Sequence, residues 1–199
     1  MNVILASGSP RRHHLLNMIN LTHEIIPSGI DEILDPGMSP AQAAESLAVQ
    51  KAADVAARQP DALIIAADTI VVLDDMLLGK PASADQAASM LRQLSGRTHE
   101  VITAVALTDT RYGRHRNCVF HQVTRVTFAV LDDREIQAYV KTGSPMDKAG
   151  AYGIQDDLGS LFVSHIQGDY YNVVGFPVRE FYHQLRTFLP EVAASILKI

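Results

Sequence analysis

The chain of 199 residues has a single cysteine, Cys118. That excludes an internal disulfide framework and any cysteine-rich zinc site, and it leaves Cys118 as a small apolar filler of a strand. Positive charge is also scarce, with 17 Lys and Arg against 22 Asp and Glu and a formal net charge of -5. A nucleic-acid surface should be basic and laced with aromatics, so no nucleic-acid partner is expected. No apolar run approaches bilayer-spanning length, so no membrane partner is expected. The eight histidines show no His-Glu-x-x-His or other zinc spacing. The N-terminus lacks a basic region leading into an apolar one, so the expectation is no signal peptide and a cytoplasmic location. Internal repeats, low-complexity tracts and linkers are missing too, which points to one domain over residues 1–199. What is present is ordinary for a globular chain, with 47% hydrophobic and 20% charged residues.

The most informative stretch is Asn2-Val3-Ile4-Leu5-Ala6-Ser7-Gly8-Ser9-Pro10-Arg11-Arg12. A short apolar strand runs into Ser-Gly-Ser, then into proline and two arginines. Pro10 suits the first helical position, where its missing N–H costs nothing, and Ser9 suits the cap before it. The loop brings backbone N–H groups, hydroxyls and guanidinium forks to one place, as a phosphate chain requires. It is not a Walker A loop, since no Gly-Lys-Ser/Thr follows. Two readings stay open: a phosphate grip, or a helix cap followed by solvated arginines.

Farther on, a helix from Pro10 to about Ile19 shows Leu15, Leu16 and Ile19 on its apolar face, and a strand is expected over His23 to Pro27. Ser39, Pro40 and Gln42 spell a capping box at the start of the next helix, whose stripe is Ala44, Leu47, Ala48, Ala52 and Val55. Lys51 falls inside that stripe, so it must snorkel or reach an anionic partner. Ala62 to Ala67 reads as a buried strand, followed by Asp68-Thr69 and a second apolar run to Leu73. A carboxylate between two buried runs is costly without a partner. Asp74-Asp75 reads as a turn. Leu77 to Pro81 leads to a helix with a second capping box, Ser83 and Gln86, ending at Gly96. A long hairpin follows over Glu100 to Leu107 and Val119 to Leu131, then a helix from about Asp133 to Lys141. A glycine-rich segment from Asp147 to Gln155 precedes short strands near Phe162 and Tyr171 and a helix opened by Pro177. The expected fold class is mixed α/β with a largely antiparallel central sheet and flanking helices.

These segments resemble the Maf family of nucleoside triphosphate pyrophosphatases. The matching pieces are Leu5 to Arg12, Asp31-Glu32, Leu47-Ala48 with Lys51-Ala52, Ala67-Asp68-Thr69, Leu78-Gly79-Lys80-Pro81 and Leu94-Ser95-Gly96. Asp147 to Gln155 and Asn172-Val173-Val174-Gly175 complete the set, in order over nearly the whole chain. The glycine-rich piece is similar to the subfamily acting on dTTP and UTP. The resemblance implies two lobes around a cleft, a homodimer, and hydrolysis of a nucleoside triphosphate to the monophosphate and pyrophosphate. It implies a divalent cation (Mg2+, Mn2+ or Co2+), Asp68 as proton acceptor, and Arg12, Thr69 and Gln155 as residues of base specificity. Three residues depart from the family pattern: Ser144 for a common glutamate, Asp156 for a usual glycine, and Ala104 for a frequent glycine.

Within that frame Ser7, Ser9, Arg11, Lys51 and Lys80 are the expected phosphate-binding residues, since catalysis on a triphosphate is mainly positioning and charge stabilisation. Asp68 and Glu32 are the expected metal carboxylates, because magnesium uses one or two carboxylates plus substrate oxygens. Asp147 and Lys148 are expected to pair and brace their loop. His13 and His14 are expected as solvated helix residues, and Tyr170 and Tyr171 as core packing rather than a base-stacking pair. Two other functions fit the same residues: a non-catalytic nucleotide-binding regulator of cell division, and a purine (ITP/XTP) pyrophosphatase.

Overall fold

The computed structural model describes residues 2–196 apart from Glu32, Pro36, Arg114 and Asp157. The chain divides into two compact units, one of residues 1–68, 103–122 and 175–199, the other of 69–102 and 123–174. Seven strands form one largely antiparallel sheet in the order β2-β1-β3-β5-β6-β7, with β4 paired to β3. No described helix is long and apolar enough to cross a membrane.

In the first unit, β1 (Asn2–Leu5) lies parallel to both β2 (Glu24–Ile25) and β3 (Ala62–Leu73), with Leu5 opposite Ile25 and Ile65. Parallel neighbours need crossovers, and α1 (Pro10–Met18) and α2 (Pro40–Ala56) lie in them. The second strand of the sequence reading shrinks to two residues, both exposed, because an edge strand without a buried face has little to hold it in register. α1 buries Leu15 and Leu16, while Ile19 is only half-buried. α2 opens on the expected capping box, with Ser39 accepting from the Gln42 N–H and Gln42 from the Ser39 N–H. Its stripe of Ala44, Leu47, Ala48, Ala52 and Val55 is buried. β5 (Thr98–Asp109) and β6 (Arg116–Phe128) form the long hairpin, and their outer halves belong to this unit. α6 (Val178–Phe188) and α7 (Pro190–Ile196) complete it. The sequence reading gave one C-terminal helix; Pro190 starts a new one, since proline is accepted at a first turn but not in a helix interior. Arg111 fixes α7 by bonding Asp109 through Nε at 2.8 Å and Glu191 through a terminal nitrogen at 3.0 Å.

The second unit takes the remaining parts of β3, β5 and β6, with β4 (Met76–Leu78), α3 (Ala84–Leu94), α4 (Asp133–Lys141), β7 (Val163–Gln167) and α5 (Tyr170–Val174). Asp74 and Asp75 both adopt left-handed backbone, with φ of 47° and 65°. Two such residues form the tight turn that suits strand twist, so β4 folds back antiparallel on β3 where the sequence suggested only a lead-in to a helix. Ser83 accepts from the Gln86 N–H, but the Gln86 side-chain Oε1 accepts from the Ala82 N–H at 2.6 Å, so the expected second capping box is half formed. α4 opens on a capping box between Asp132 and Glu135 and stops before Gly143, whose φ is 76°.

The expected strand near Tyr171 is a short helix instead. Asp169 accepts from the Tyr171 N–H at 2.8 Å, and the wholly buried Asn172 donates to Val101 O and Thr124 Oγ1, each at 2.9 Å. These bonds hold a helical turn that pattern alone did not show. Tyr170 and Tyr171 stand 41% and 37% exposed and pack edge to face, so they are not core residues.

His99 lies inside the second unit at 2% exposure, edge to face with Phe128 and Tyr152. Its Nε2 is 2.8 Å from the Tyr152 hydroxyl, and among the described residues no hydrogen-bond partner meets its Nδ1. Burial penalises the imidazolium and pushes the pKa down from 6.5 to about 4. A depressed folded-state pKa gives stability that is present above pH 6.5 and lost as pH falls toward 4. Urea unfolding at a series of pH values should therefore show stability declining across that interval. The slope from this residue should approach about 1.4 kcal/mol per pH unit and disappear in His99→Gln. An unchanged slope in that variant would contradict the assignment.

Candidate active site

The parallel pairing of β1 and β3 sets the geometry. Leu5 stands opposite Ile65, and the Ala6 N–H donates to Ile65 O at 2.7 Å. The chain then leaves β1 for the Ser7–Ser9 turn, while β3 continues through Asp68. The turn and the carboxylate thus stand at the same end of neighbouring parallel strands. In open α/β sheets that is where ligands settle, because loops and helix N-termini converge there.

Ser7 is buried, and its hydroxyl oxygen accepts from the Ser9 N–H at 3.3 Å and from Arg12 at 3.1 Å. Arg12 also donates through Nε to Gly175 O at 2.9 Å, so its guanidinium ties the turn to a residue far along the chain. Ser9 occupies the cap position of α1 and its carbonyl accepts from the His13 N–H at 3.2 Å, but its side chain makes no cap bond. The expected side-chain cap is therefore not formed; Ser7, two residues earlier, accepts from the Ser9 N–H instead. Arg11 is half-buried beside it.

Lys51 resolves the question posed by its place in the apolar stripe. Its Nζ lies 2.5 Å from Asp68 Oδ1, with side chains only 15% and 11% exposed. The helix cation answers the strand anion. Each charge needs the other, because an unpaired ion in such surroundings costs several kcal/mol.

A carboxylate is a hard oxygen donor, and Asp68 suits a magnesium-type ion that draws its other ligands from phosphate oxygens and water. Among the described residues no three His, Cys, Asp or Glu side chains gather as a protein-only metal cage would require. Glu32, the other expected metal carboxylate, lies outside the described residues.

Thr69, Lys80 and Gln155 belong to the second unit. Thr69 follows Asp68 in β3 and is half-buried; neighbouring strand residues point to opposite faces. Lys80 is exposed, just after Gly79, whose carbonyl accepts from the Gly150 N–H at 3.1 Å. Gln155 is exposed in the glycine-rich segment, which runs as a series of short 3-10 turns. Lys148 is buried and bonds Asp147 at 2.7 Å, the ion pair expected from sequence. It also lies 3.3 Å from Asp156, a contact with no signal in the sequence.

His13 departs from the expectation of a solvated residue. It is half-buried, with Nδ1 2.9 Å from His23 Nε2 and Nε2 3.0 Å from the Asn17 amide. His14 is exposed as expected. Cys118 sits half-buried in β6, and burial pushes its thiol up, opposite to what a nucleophile needs.

The Maf-like protein family matches residues 2–188. A dTTP/UTP pyrophosphatase of Bacillus cytotoxicus is 46% identical over 93% of this chain and 94% of its own length. A dTTP/UTP pyrophosphatase of Bacillus mycoides is 45% identical over 96% of this chain and 97% of its own, and one of Bacillus cereus 46% over 94% and 95%. The solved structure of the Staphylococcus aureus Ham1 protein gives a TM-score of 0.45 at 14% identity, covering 65% of this chain and 72% of that one.

The Lys51–Asp68 pair makes its own prediction about stability. Lys51→Met leaves the Asp68 carboxylate buried alone and should cost about 3–5 kcal/mol in urea unfolding. Adding Asp68→Leu should restore most of that loss, because a matched apolar pair carries no desolvation penalty. A single variant as stable as the parent would show that the pair bears no weight.

Proposed function

The chain belongs to the Maf-like protein family, and from that premise we propose that it hydrolyses dTTP and UTP to the monophosphate and pyrophosphate. The observation that carries this reading is the Lys51–Asp68 pair at the same strand end as the Ser7–Arg12 turn. In this reading the turn grips the anionic chain and Asp68 is the proton acceptor. The relatives' names agree with this activity, and the reading includes a homodimer acting on the free nucleotide pool of the cytoplasm.

In this reading Ser7, Ser9, Arg11, Lys51 and Lys80 bind the triphosphate. Their cations and donors balance its charge and the further charge that develops on the departing pyrophosphate. Water attacks the α-phosphorus, a new P–O bond forms, and the bond to the bridging oxygen of the pyrophosphate breaks. Asp68 accepts the proton of that water. Lys51 holds Oδ1 of the carboxylate in place, and Oδ2 is the oxygen assigned to the proton. A divalent cation, which Asp68 and Glu32 would hold together with substrate oxygens, would supply charge neutralisation and a lowered pKa for coordinated water.

Base choice is assigned to Arg12, Thr69 and Gln155. Uracil and thymine present an N3–H donor flanked by carbonyl acceptors, and the Gln155 amide accepts from the first and donates to the second. Arg12 carries donors only, so it favours a carbonyl over the amino group of cytosine.

Pyrophosphate release from dTTP, UTP, CTP and GTP, with and without a divalent ion, tests the reading. Release should favour dTTP and UTP, and Asp68→Asn should lower kcat by about a hundredfold or more at saturating substrate. Equal rates on all four nucleotides would refute the pyrimidine assignment. Purine preference would point to an ITP/XTP enzyme, and binding without turnover to a regulator.

A further inference from the structure

Asp156 follows Gln155 directly, and its surroundings are more elaborate than a loop carboxylate requires. The Asp156 N–H donates to Gly153 O at 3.1 Å, closing a turn with Ile154 and Gln155 at its centre. Tyr139, fully buried on α4, holds both ends of that turn with one hydroxyl. It donates to Asp156 Oδ2 at 2.5 Å and accepts from the Gly153 N–H at 3.0 Å. Ser144 Oγ donates to the same carboxylate oxygen at 2.6 Å, and Lys148 Nζ lies 3.3 Å from it. Lys148 also donates to Ser144 O at 2.5 Å, so the cation fastens the segment that carries the second hydroxyl.

Two glycines leave room for this closure. A Cβ on Gly153 would lie 2.6 Å from Asp156 Oδ2, and one on Gly159 would lie 2.5 Å from Gly153 O and 3.1 Å from the Tyr139 hydroxyl oxygen. Cβ atoms essentially never come within 3.0 Å of such neighbours, so a side chain at 153 would push on the Asp156 carboxylate and one at 159 on the Gly153 carbonyl. Burial and the neighbouring carboxylate push the Tyr139 phenol upward, which keeps its proton available for donation.

We propose that Asp156 is a positioning residue for base selection: with Tyr139, Ser144 and Lys148 it clamps the 153–156 turn and fixes the backbone from which Gln155 meets the base. This rests on the reading of Gln155 as a base-specificity residue. A mobile backbone would let the side-chain amide shift along the base edge to suit uracil or cytosine, so selectivity depends on presenting it from one place. A turn held at both ends does that, whereas an exposed glycine-rich loop would let the amide adapt to either base.

The test compares kcat and KM for UTP and CTP in the full chain and in Gln155→Ala, Asp156→Ala, Asp156→Asn, Tyr139→Phe and the double variant Gln155→Ala/Asp156→Ala. Thermal unfolding is followed for each, and Tyr139→Phe, which removes a single oxygen, guards against a folding defect in Asp156→Ala. Asp156→Ala and Tyr139→Phe should each reduce the preference for UTP over CTP about tenfold, chiefly through KM for UTP. Asp156→Asn keeps an oxygen that accepts from both hydroxyls and should stay within about threefold of the parent. In the Gln155→Ala background the Asp156 change should have no further effect on the preference, because the two act as one unit. The proposal is overturned if Gln155→Ala lowers the preference while Asp156→Ala and Tyr139→Phe leave it intact or weaken both substrates equally. If Gln155→Ala itself leaves the preference unchanged, the reading of Gln155 fails first and this inference falls with it.

Discussion

A carboxylate set in the middle of a buried strand is the constraint around which the first unit is organised. Asp68 interrupts twelve residues of β3 that are otherwise almost wholly apolar and buried. Such a group is tolerated only if a cation is brought to it, and Lys51 is delivered from the one face of α2 that is packed inward. The register of helix against strand is therefore specified twice, once by the apolar stripe and once by the ion pair. A helix slipped by one turn would bury a lysine without a partner and leave an aspartate without a cation.

The same economy of means governs the turn after β1. Ser7, buried, would be an unsatisfied hydroxyl without Arg12 and the Ser9 N–H. Arg12 in turn donates to the Gly175 carbonyl, so the Ser7–Ser9 turn is tied to a residue far along the chain. Preorganised donors are worth most where charge develops during reaction, since they need no reorganisation at that moment. In the second unit the 153–156 turn follows the same logic, with a buried tyrosine hydroxyl and a lysine holding a loop that has no regular secondary structure of its own.

Much of the fold was visible in the residues because its signals are local. Ser39-Pro40-x-Gln42 started α2 where a capping box should, and the helix expected from about Asp133 to Lys141 is α4. The apolar run of β3 and the hairpin of β5 and β6 followed from length and β-branched content. The misses have local causes too. Pattern reading took Asp74-Asp75 as a bare turn and overlooked the short β4 that a left-handed pair folds back. A strand was expected near Tyr171, but Asp169 accepts locally from the Tyr171 N–H and Asn172 anchors the helical turn through bonds to distant Val101 and Thr124. At the site, the residue types were legible, since an aspartate and a lysine each sat where burial was costly. Ser144 and Asp156 stood out singly as departures from the family pattern, but nothing in the sequence showed that they meet each other and Tyr139, which looks ordinary on its helix face.

The sequence alone determined where helices and strands begin, which faces are apolar, and which polar residues break that pattern, because these depend on periodicity and on neighbours within a few positions. Only the tertiary structure decided the partners. Lys51 meets Asp68 across 17 positions and Arg12 meets Gly175 across 163, while Tyr139 meets Asp156 from the far side of a loop. A charge announces that it needs a counterpart, but which counterpart it finds depends on how the packed elements bring remote parts of the chain together.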